Sequence, residues 1–167
     1  CSVCDHYQTQ YELPNDFYNT YNSFEGAMQY QNIEKIYEQR LSLLKKYSHS
    51  AGTLIDIGCG YGKFLTVAKK YFSRCIGVEP SDQATKCIDN DILIIQDYFT
   101  KNISSKIPNF SAASVITAFQ VFEHLENASD VLKDIYEVLE PGGIALINVP
   151  NGRTIVNNSL FHQITCE

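Results

Sequence analysis

Tryptophan is absent from this 167-residue sequence and methionine occurs once. No apolar run approaches the ~20 residues that a membrane-spanning helix needs. Basic residues are scarce: 13 Lys and Arg stand against 19 Asp and Glu, a net charge of −6. A nucleic-acid groove needs a basic stripe, which this composition does not supply. The Lys45-Lys46 and Lys69-Lys70 pairs read as solvated helix ends. No leader-type segment opens the sequence, and its first residue is Cys1 rather than Met, so it is expected to be an excised piece of a longer protein. There is no disulfide spacing either. Of six cysteines, Cys59, Cys75 and Cys87 fall inside expected α/β elements and read as small thiols, which suits a reducing cytoplasm.

What is present is an alternation of strand-like and helix-like segments in a chain long enough for one domain of roughly 100–150 residues. Residues 1–23 are rich in Tyr, Asn and Gln and are expected to form an irregular arm. Over 24–48, Ile33, Ile36, Tyr37, Leu41, Leu44 and Tyr47 recur at three- and four-residue steps, the stripe of a helix that packs on a domain. Residues 49–167 then carry the α/β alternation. Strands are predicted at 53–57, 75–78, 92–95, 113–118 and 144–149. Helices are predicted from Lys63 to about Phe72, from an N-cap at Ser81 to about Asp89, and from Asn127 or Ser129 to Leu139. Pro141-Gly142-Gly143 is expected to end the last helix, and 100–111 to form a loop around Pro108. Such alternation implies a parallel sheet with right-handed crossovers. One linker beyond strand five the sequence stops, so the last helix and strand of the sheet are expected to be missing.

The most informative stretch is Thr53-Leu-Ile-Asp56-Ile-Gly58-Cys59-Gly60-Tyr61-Gly62. An aliphatic run carries one acid, Asp56, and breaks into three glycines at alternate positions. Glycine allows positive φ and lets a ligand approach where a Cβ would collide. A helix starting near Lys63 turns its free N–H groups toward the same spot. This is a nucleotide-type site. The dinucleotide fingerprint G-x-G-x-x-G requires a third small residue for close helix–strand packing. Here that position is Lys63, which disfavours NAD or FAD.

Over roughly residues 50–150 the chain resembles the class I S-adenosylmethionine-dependent methyltransferases, which implies a Rossmann-like sheet of order 3-2-1-4-5. Asp56-Ile57-Gly58-Cys59-Gly60-Tyr61-Gly62 matches the first motif, which in that family holds the amino-acid end of the cofactor. Gly77-Val78-Glu79-Pro80 matches the acid that takes the ribose hydroxyls. Gln96-Asp97-Tyr98 matches the region that meets adenine, with Asp97 for the amino group and Tyr98 stacked on the purine. Thr117-Ala118-Phe119-Gln120-Val121-Phe122-Glu123-His124 follows strand four and ends in the Glu-His pair found in many small-molecule members, where Phe119 and Gln120 face the cofactor. The Leu139-Glu140-Pro141-Gly142-Gly143 turn is another habitual feature. A plain alternative stands beside two of these. Asp97 also reads as a strand-end turn former, and Glu123-His124 as a cap with His124 turned toward the scaffold. Asn148-Val149-Pro150-Asn151 follows strand five rather than strand four and reads as a strand exit, not the amino-methylating Asn-Pro-Pro-Tyr signature.

Cys1-Ser2-Val3-Cys4 has the spacing of one zinc knuckle, and no second knuckle follows. It resembles the second half of a zinc ribbon that precedes some bacterial enzymes of this family, sugar C-methyltransferases among them. Cys1 and Cys4 would then be half of a zinc site completed in the full-length protein. The expected function is methyl transfer from S-adenosylmethionine, in line, to a small-molecule or sugar-type acceptor. His124 is the candidate base, since His titrates near neutral pH, with Glu123 behind it. The alternatives are a non-catalytic cofactor-binding domain and an NAD-dependent oxidoreductase. No nucleic acid or membrane is an expected partner. An uncovered strand-five edge favours a homodimer.

Overall fold

The computed structural model describes residues 33–151, Ile88 excepted. The expected arm at 1–23, the first part of the packing helix, Cys1, Cys4 and the segment after 151 lie outside them. The described chain runs α1 (Ile33–Tyr47), β1 (Thr53–Ile57), α2 (Lys63–Ala68), β2 (Arg74–Val78), β3 (Leu93–Ile95), β4 (Ala113–Phe119), α3 (Ala128–Val138) and β5 (Leu139–Asn148). Three short 3-10 turns, Asp82–Lys86, Lys101–Lys106 and Phe122–His124, lie between them. All five strands pair in parallel in the order β3-β2-β1-β4-β5. The expected Rossmann-like sheet of order 3-2-1-4-5 is therefore present.

β1 is central, and its alternation sets the layers. Ile55 and Ile57 point into a core with Ile76, Val78, Ile116 and Ile135 of α3. Leu54 points to the other face, where Leu41 and Leu44 of α1 meet Phe64, Leu65 and Ala68 of α2. Both faces of the sheet are thus covered, as a parallel sheet requires. Asp56 shares the α1/α2 face with Leu54, and it sits opposite Gly77 on one side and Thr117 on the other. Gly77 admits its neighbours closely. A Cβ there would lie 2.4 Å from the Cys59 sulfur and 2.5 Å from Ile94 Cδ1.

Several boundaries differ from the sequence reading. α2 ends at Ala68 rather than near Phe72, because Ser73 N–H donates to Ala51 O and draws the chain into β2. Ser81 does cap, its hydroxyl accepting from Gln83 N–H at 3.3 Å, but the turn it opens is a 3-10 helix that stops at Lys86. The 100–111 segment holds the 3-10 turn Lys101–Lys106, which buries Ile103. α3 stops at Val138, and Pro141-Gly142-Gly143 lies inside β5 rather than before it. Ala113 pairs with Leu139 and Val115 with Ile144, so β5 takes five steps where β4 takes two. The surplus residues bulge out at Gly142, whose φ is 82°.

Leu41 is 0 % exposed and Leu43 is 43 % exposed on the same helix. Leu41→Ala should cost about 2–5 kcal/mol by urea unfolding, and Leu43→Ala less than about 1 kcal/mol. Equal losses would mean that α1 does not dock through this face.

Candidate functional site

The site forms where β1 stops. Ile57 is the last paired residue, and Gly58, Gly60 and Gly62 follow at φ of 67°, 52° and 74°. All three lie in the left-handed region, which side chains other than glycine enter at a cost. Gly58 N–H donates to Val78 O at 2.8 Å, and Gly62 N–H to Cys59 O at 2.9 Å, so the loop curls over the end of β2. A Cβ at Gly58 would lie 2.4 Å from Val121 Cγ2, which packs down on the bare backbone from beyond β4. α2 begins directly after Gly62.

A cavity of about 230 Å³ opens at this loop. Asp56, Gly58, Cys59, Gly60 and Tyr61 line it, all expected from the sequence, together with Phe119 from the end of β4. Tyr37, Arg40, Lys63, Phe64 and Gln83 line it as well and were not foreseen. Tyr37 and Arg40 come from α1, one helical turn apart, Tyr37 on the apolar stripe and Arg40 beside it. That position was the available signal. A larger cavity of about 280 Å³ lies between Ser48–Ala51 and Tyr71–Phe72. It sits at the opposite, N-terminal ends of β1 and β2, whereas ligands of open α/β sheets bind beyond the C-terminal ends. It also has no acid and no glycine loop, so the smaller cavity is the candidate site.

The electrostatics of that cavity are set by one buried acid. Asp56 is 3 % exposed and accepts a 2.6 Å hydrogen bond from the Thr117 hydroxyl. Burial pushes its pKa up to about 7, against the Thr117 hydrogen bond and the Arg40 charge, which favour the carboxylate. The Arg40 guanidinium lies 3.8 Å from the centroid of the Phe119 ring. Phe119 in turn meets Phe64 edge-on at 5.0 Å, and Phe64 meets Tyr37 at 5.6 Å. An aromatic wall thus carries a cation on one side of the cavity, with the acid at its base.

Glu79 closes β2, buried, and both of its oxygens are fixed by backbone donors. Oε2 accepts from Gly60 N–H at 3.0 Å and Oε1 from Ser81 N–H at 2.9 Å. The acid is thereby held against the glycine loop, with Pro80 beside it, and each oxygen keeps a further lone pair. Asp97 accepts from Tyr98 N–H and pairs with Lys106, which holds its carboxyl below the usual range. The Tyr98 ring is 70 % exposed. Gln120 turns the chain after β4 and is bonded to Asn148 through both backbone and side chain. Glu123 and His124 form a 3-10 turn beyond it. Burial lowers the pKa of His124, so the imidazole is neutral at pH 7. Of the expected site residues, Glu79, Pro80, Gly62, Asp97, Tyr98, Gln120, Glu123 and His124 are outside the lining of the cavity itself.

Among the described residues no group of three or more His, Cys, Asp or Glu side chains is placed to hold a metal ion. Cys59, Cys75 and Cys87 are free thiols. No described helix is long and apolar enough to cross a membrane.

Comparison with known proteins agrees with this geometry. A family model described as a methyltransferase domain matches residues 26–167. A probable S-adenosylmethionine-dependent methyltransferase of Saccharomyces cerevisiae is 38 % identical over 61 residues, 35 % of this chain and 21 % of that protein. One from Mycolicibacterium smegmatis, similarly named, is 28 % identical over 98 residues, 59 % of this chain and 38 % of that protein. The chain therefore spans well under half the length of these curated relatives. Among solved structures, an S-adenosylmethionine-dependent methyltransferase from Anabaena variabilis shares the fold with a TM-score of 0.69 at 19 % identity, over 93 % of this chain and 70 % of that one. With a methyltransferase-domain model matched over residues 26–167 and a parallel sheet of order β3-β2-β1-β4-β5, the chain belongs to the class I S-adenosylmethionine-dependent methyltransferases.

Proposed function

We propose that the glycine-loop cavity holds S-adenosylmethionine and that the full-length protein passes its methyl group in line to a small-molecule or sugar-type acceptor. The observation that carries this reading is the pairing of opposite charges around one cavity, Asp56 at its base and Arg40 on its aromatic wall. The amino-acid end of the cofactor carries one ammonium and one carboxylate. Asp56 answers the first and Arg40 the second, while the left-handed glycines leave the loop bare for the chain between them. Glu79, oriented by two backbone N–H groups, suits a pair of ribose hydroxyls. Asp97 and the exposed Tyr98 suit the adenine edge and face. In this arrangement residues 49–167 are the cofactor-binding unit and residues 24–48 pack across it.

The bound cofactor supplies a methyl group on a positively charged sulfur, already an excellent leaving group. The protein then contributes proximity and orientation, and a base only where the acceptor must lose a proton. His124, neutral at pH 7, is suited to take that proton, with Glu123 beside it. The acidic net charge favours a neutral small acceptor over a polyanion. In a longer chain Cys1 and Cys4 would supply two of the four ligands of a zinc site.

Calorimetric titration with S-adenosylhomocysteine should give micromolar binding, and NADH none. Arg40→Met should weaken S-adenosylhomocysteine by roughly 10–100-fold, the value of a charge-assisted hydrogen bond. It should leave 5′-methylthioadenosine, which lacks the amino-acid end, almost unchanged. Loss of both ligands together would remove Arg40 from the proposed role. Binding without methyl transfer by the full-length protein would favour the non-catalytic domain.

The raised pKa of Asp56 gives a second test. The ammonium needs the carboxylate, yet the free protein holds the proton up to about pH 7. Affinity for S-adenosylhomocysteine should therefore fall about tenfold per pH unit below that point and level off above it. Stability runs the other way. The unfolded chain releases this proton near its ordinary value of 3.8, so the fold loses stability as pH rises from there to about 7. Asp56→Asn should flatten both profiles, and an unchanged slope in that variant would reject the assignment.

A further inference from the structure

The turn after β4 is built unusually. Gln120 has a φ of 58°, one of two non-glycine residues in the left-handed region among those described. That conformation suits Gly, Asn or Asp, and Gln lacks the short side chain that eases it. The strained turn lets Val121 drop onto Gly58, and glycine at 120 would serve that purpose without strain. A long amide is present instead. Its Nε2 donates to Asn148 Oδ1 at 2.8 Å, on the end of β5. The backbone already closes the ladder there, Gln120 N–H donating to Asn148 O at 2.9 Å. Both side chains are exposed, so their mutual bond adds little to the fold. Strain held at an exposed polar position beside a site points to function.

The chemistry left over by this bond is specific. With one Gln120 N–H used and Asn148 Oδ1 occupied, the pair presents the Gln120 carbonyl oxygen as acceptor beside the Asn148 amino group as donor. Turning both amides over exchanges the two roles and leaves the same donor–acceptor couple. The couple carries no charge. Gln120 follows Phe119, which lines the cavity, so the pair stands at the C-terminal ends of β4 and β5 just beyond the cofactor cavity.

We propose that the Gln120–Asn148 amide pair is the acceptor-recognition element of this site and selects a neutral vicinal diol, as carried by a sugar ring. One hydroxyl of such a diol donates to the free carbonyl and its neighbour accepts from the free amino group. This rests on the methyltransferase reading above and adds to it the class of acceptor and the residues that choose it. An acceptor with a lone hydroxyl satisfies half of the pair and leaves the other half to water.

The test uses the full-length protein saturated with S-adenosylhomocysteine. The side-chain amide resonances of Gln120 and Asn148 are followed by two-dimensional NMR. Probes are methyl β-D-glucopyranoside, cis-1,2-cyclohexanediol and, as the one-hydroxyl control, cyclohexanol. Saturable shifts of both amides with the glucoside and the diol, absent with cyclohexanol, are expected. Asn148→Ala should abolish the Gln120 shift while S-adenosylhomocysteine affinity stays within threefold. Gln120→Gly, which relieves the strained φ and should fold at least as well, should abolish the Asn148 shift. Equal response to cyclohexanol, or no response to the diols with S-adenosylhomocysteine bound, overturns the amide-pair proposal alone. Failure to bind S-adenosylhomocysteine at all overturns the methyltransferase reading and this proposal with it.

Discussion

A strand paired on both edges and covered on both faces has no exit except its end, and β1 is such a strand. Its N–H and C=O groups are taken by β2 and β4, and its side chains by two separate cores. Chain direction has to change within a few residues after Ile57, because α2 must return across the face that Leu54 occupies. Three left-handed glycines make that change. The same turn leaves a patch of bare backbone that borders a cavity. Asp56 is the one charged side chain on the strand, and its position inside the sheet is what makes it both costly to ionise and close to whatever enters. Fold and site are therefore set by one constraint, the ending of a fully buried strand.

The helix α1 completes the arrangement from outside the sheet. Leu41 and Leu44 anchor it, and the anchored helix aims Tyr37 and Arg40 at the cavity. The Arg40 charge is then stacked on Phe119 rather than left in water, which fixes a long flexible side chain in one place. Stability of the α1 docking and readiness of the cavity are in this way the same property measured twice.

The bounds of β1 and the glycine loop were legible because each rests on local signals, an aliphatic run and glycines at alternate positions, whereas the strand order followed only from the family resemblance. The cap at Ser81 was legible for the same reason. Tyr37 and Arg40 were legible only as part of the docking face of α1, since nothing local says that this face also meets the glycine loop. The true start of β5 was hidden too. Pro141-Gly142-Gly143 carries every mark of a helix stop, and only pairing with β4 reveals that the strand has already begun at Leu139. Glu79 was read as a ribose ligand from its place after β2, but its two backbone donors follow from tertiary packing and could not be read from sequence. Asp97 and His124 had plain alternatives, and the pairing of Asp97 with Lys106 gives it a structural partner as well.

The contact between Cys59 and Gly77 links two positions that are distant in sequence and belong to different elements. The sulfur fills the space that a side chain on β2 would otherwise take, with Ile94 sharing the rest. Volume is thus exchanged between the loop and the strand rather than owned by either. Over evolutionary time neither position can drift by itself. An alanine at 77 needs room from both 59 and 94, since its Cβ would meet the Cys59 sulfur at 2.4 Å and Ile94 Cδ1 at 2.5 Å. In an alignment of relatives the columns at 59, 77 and 94 should vary together.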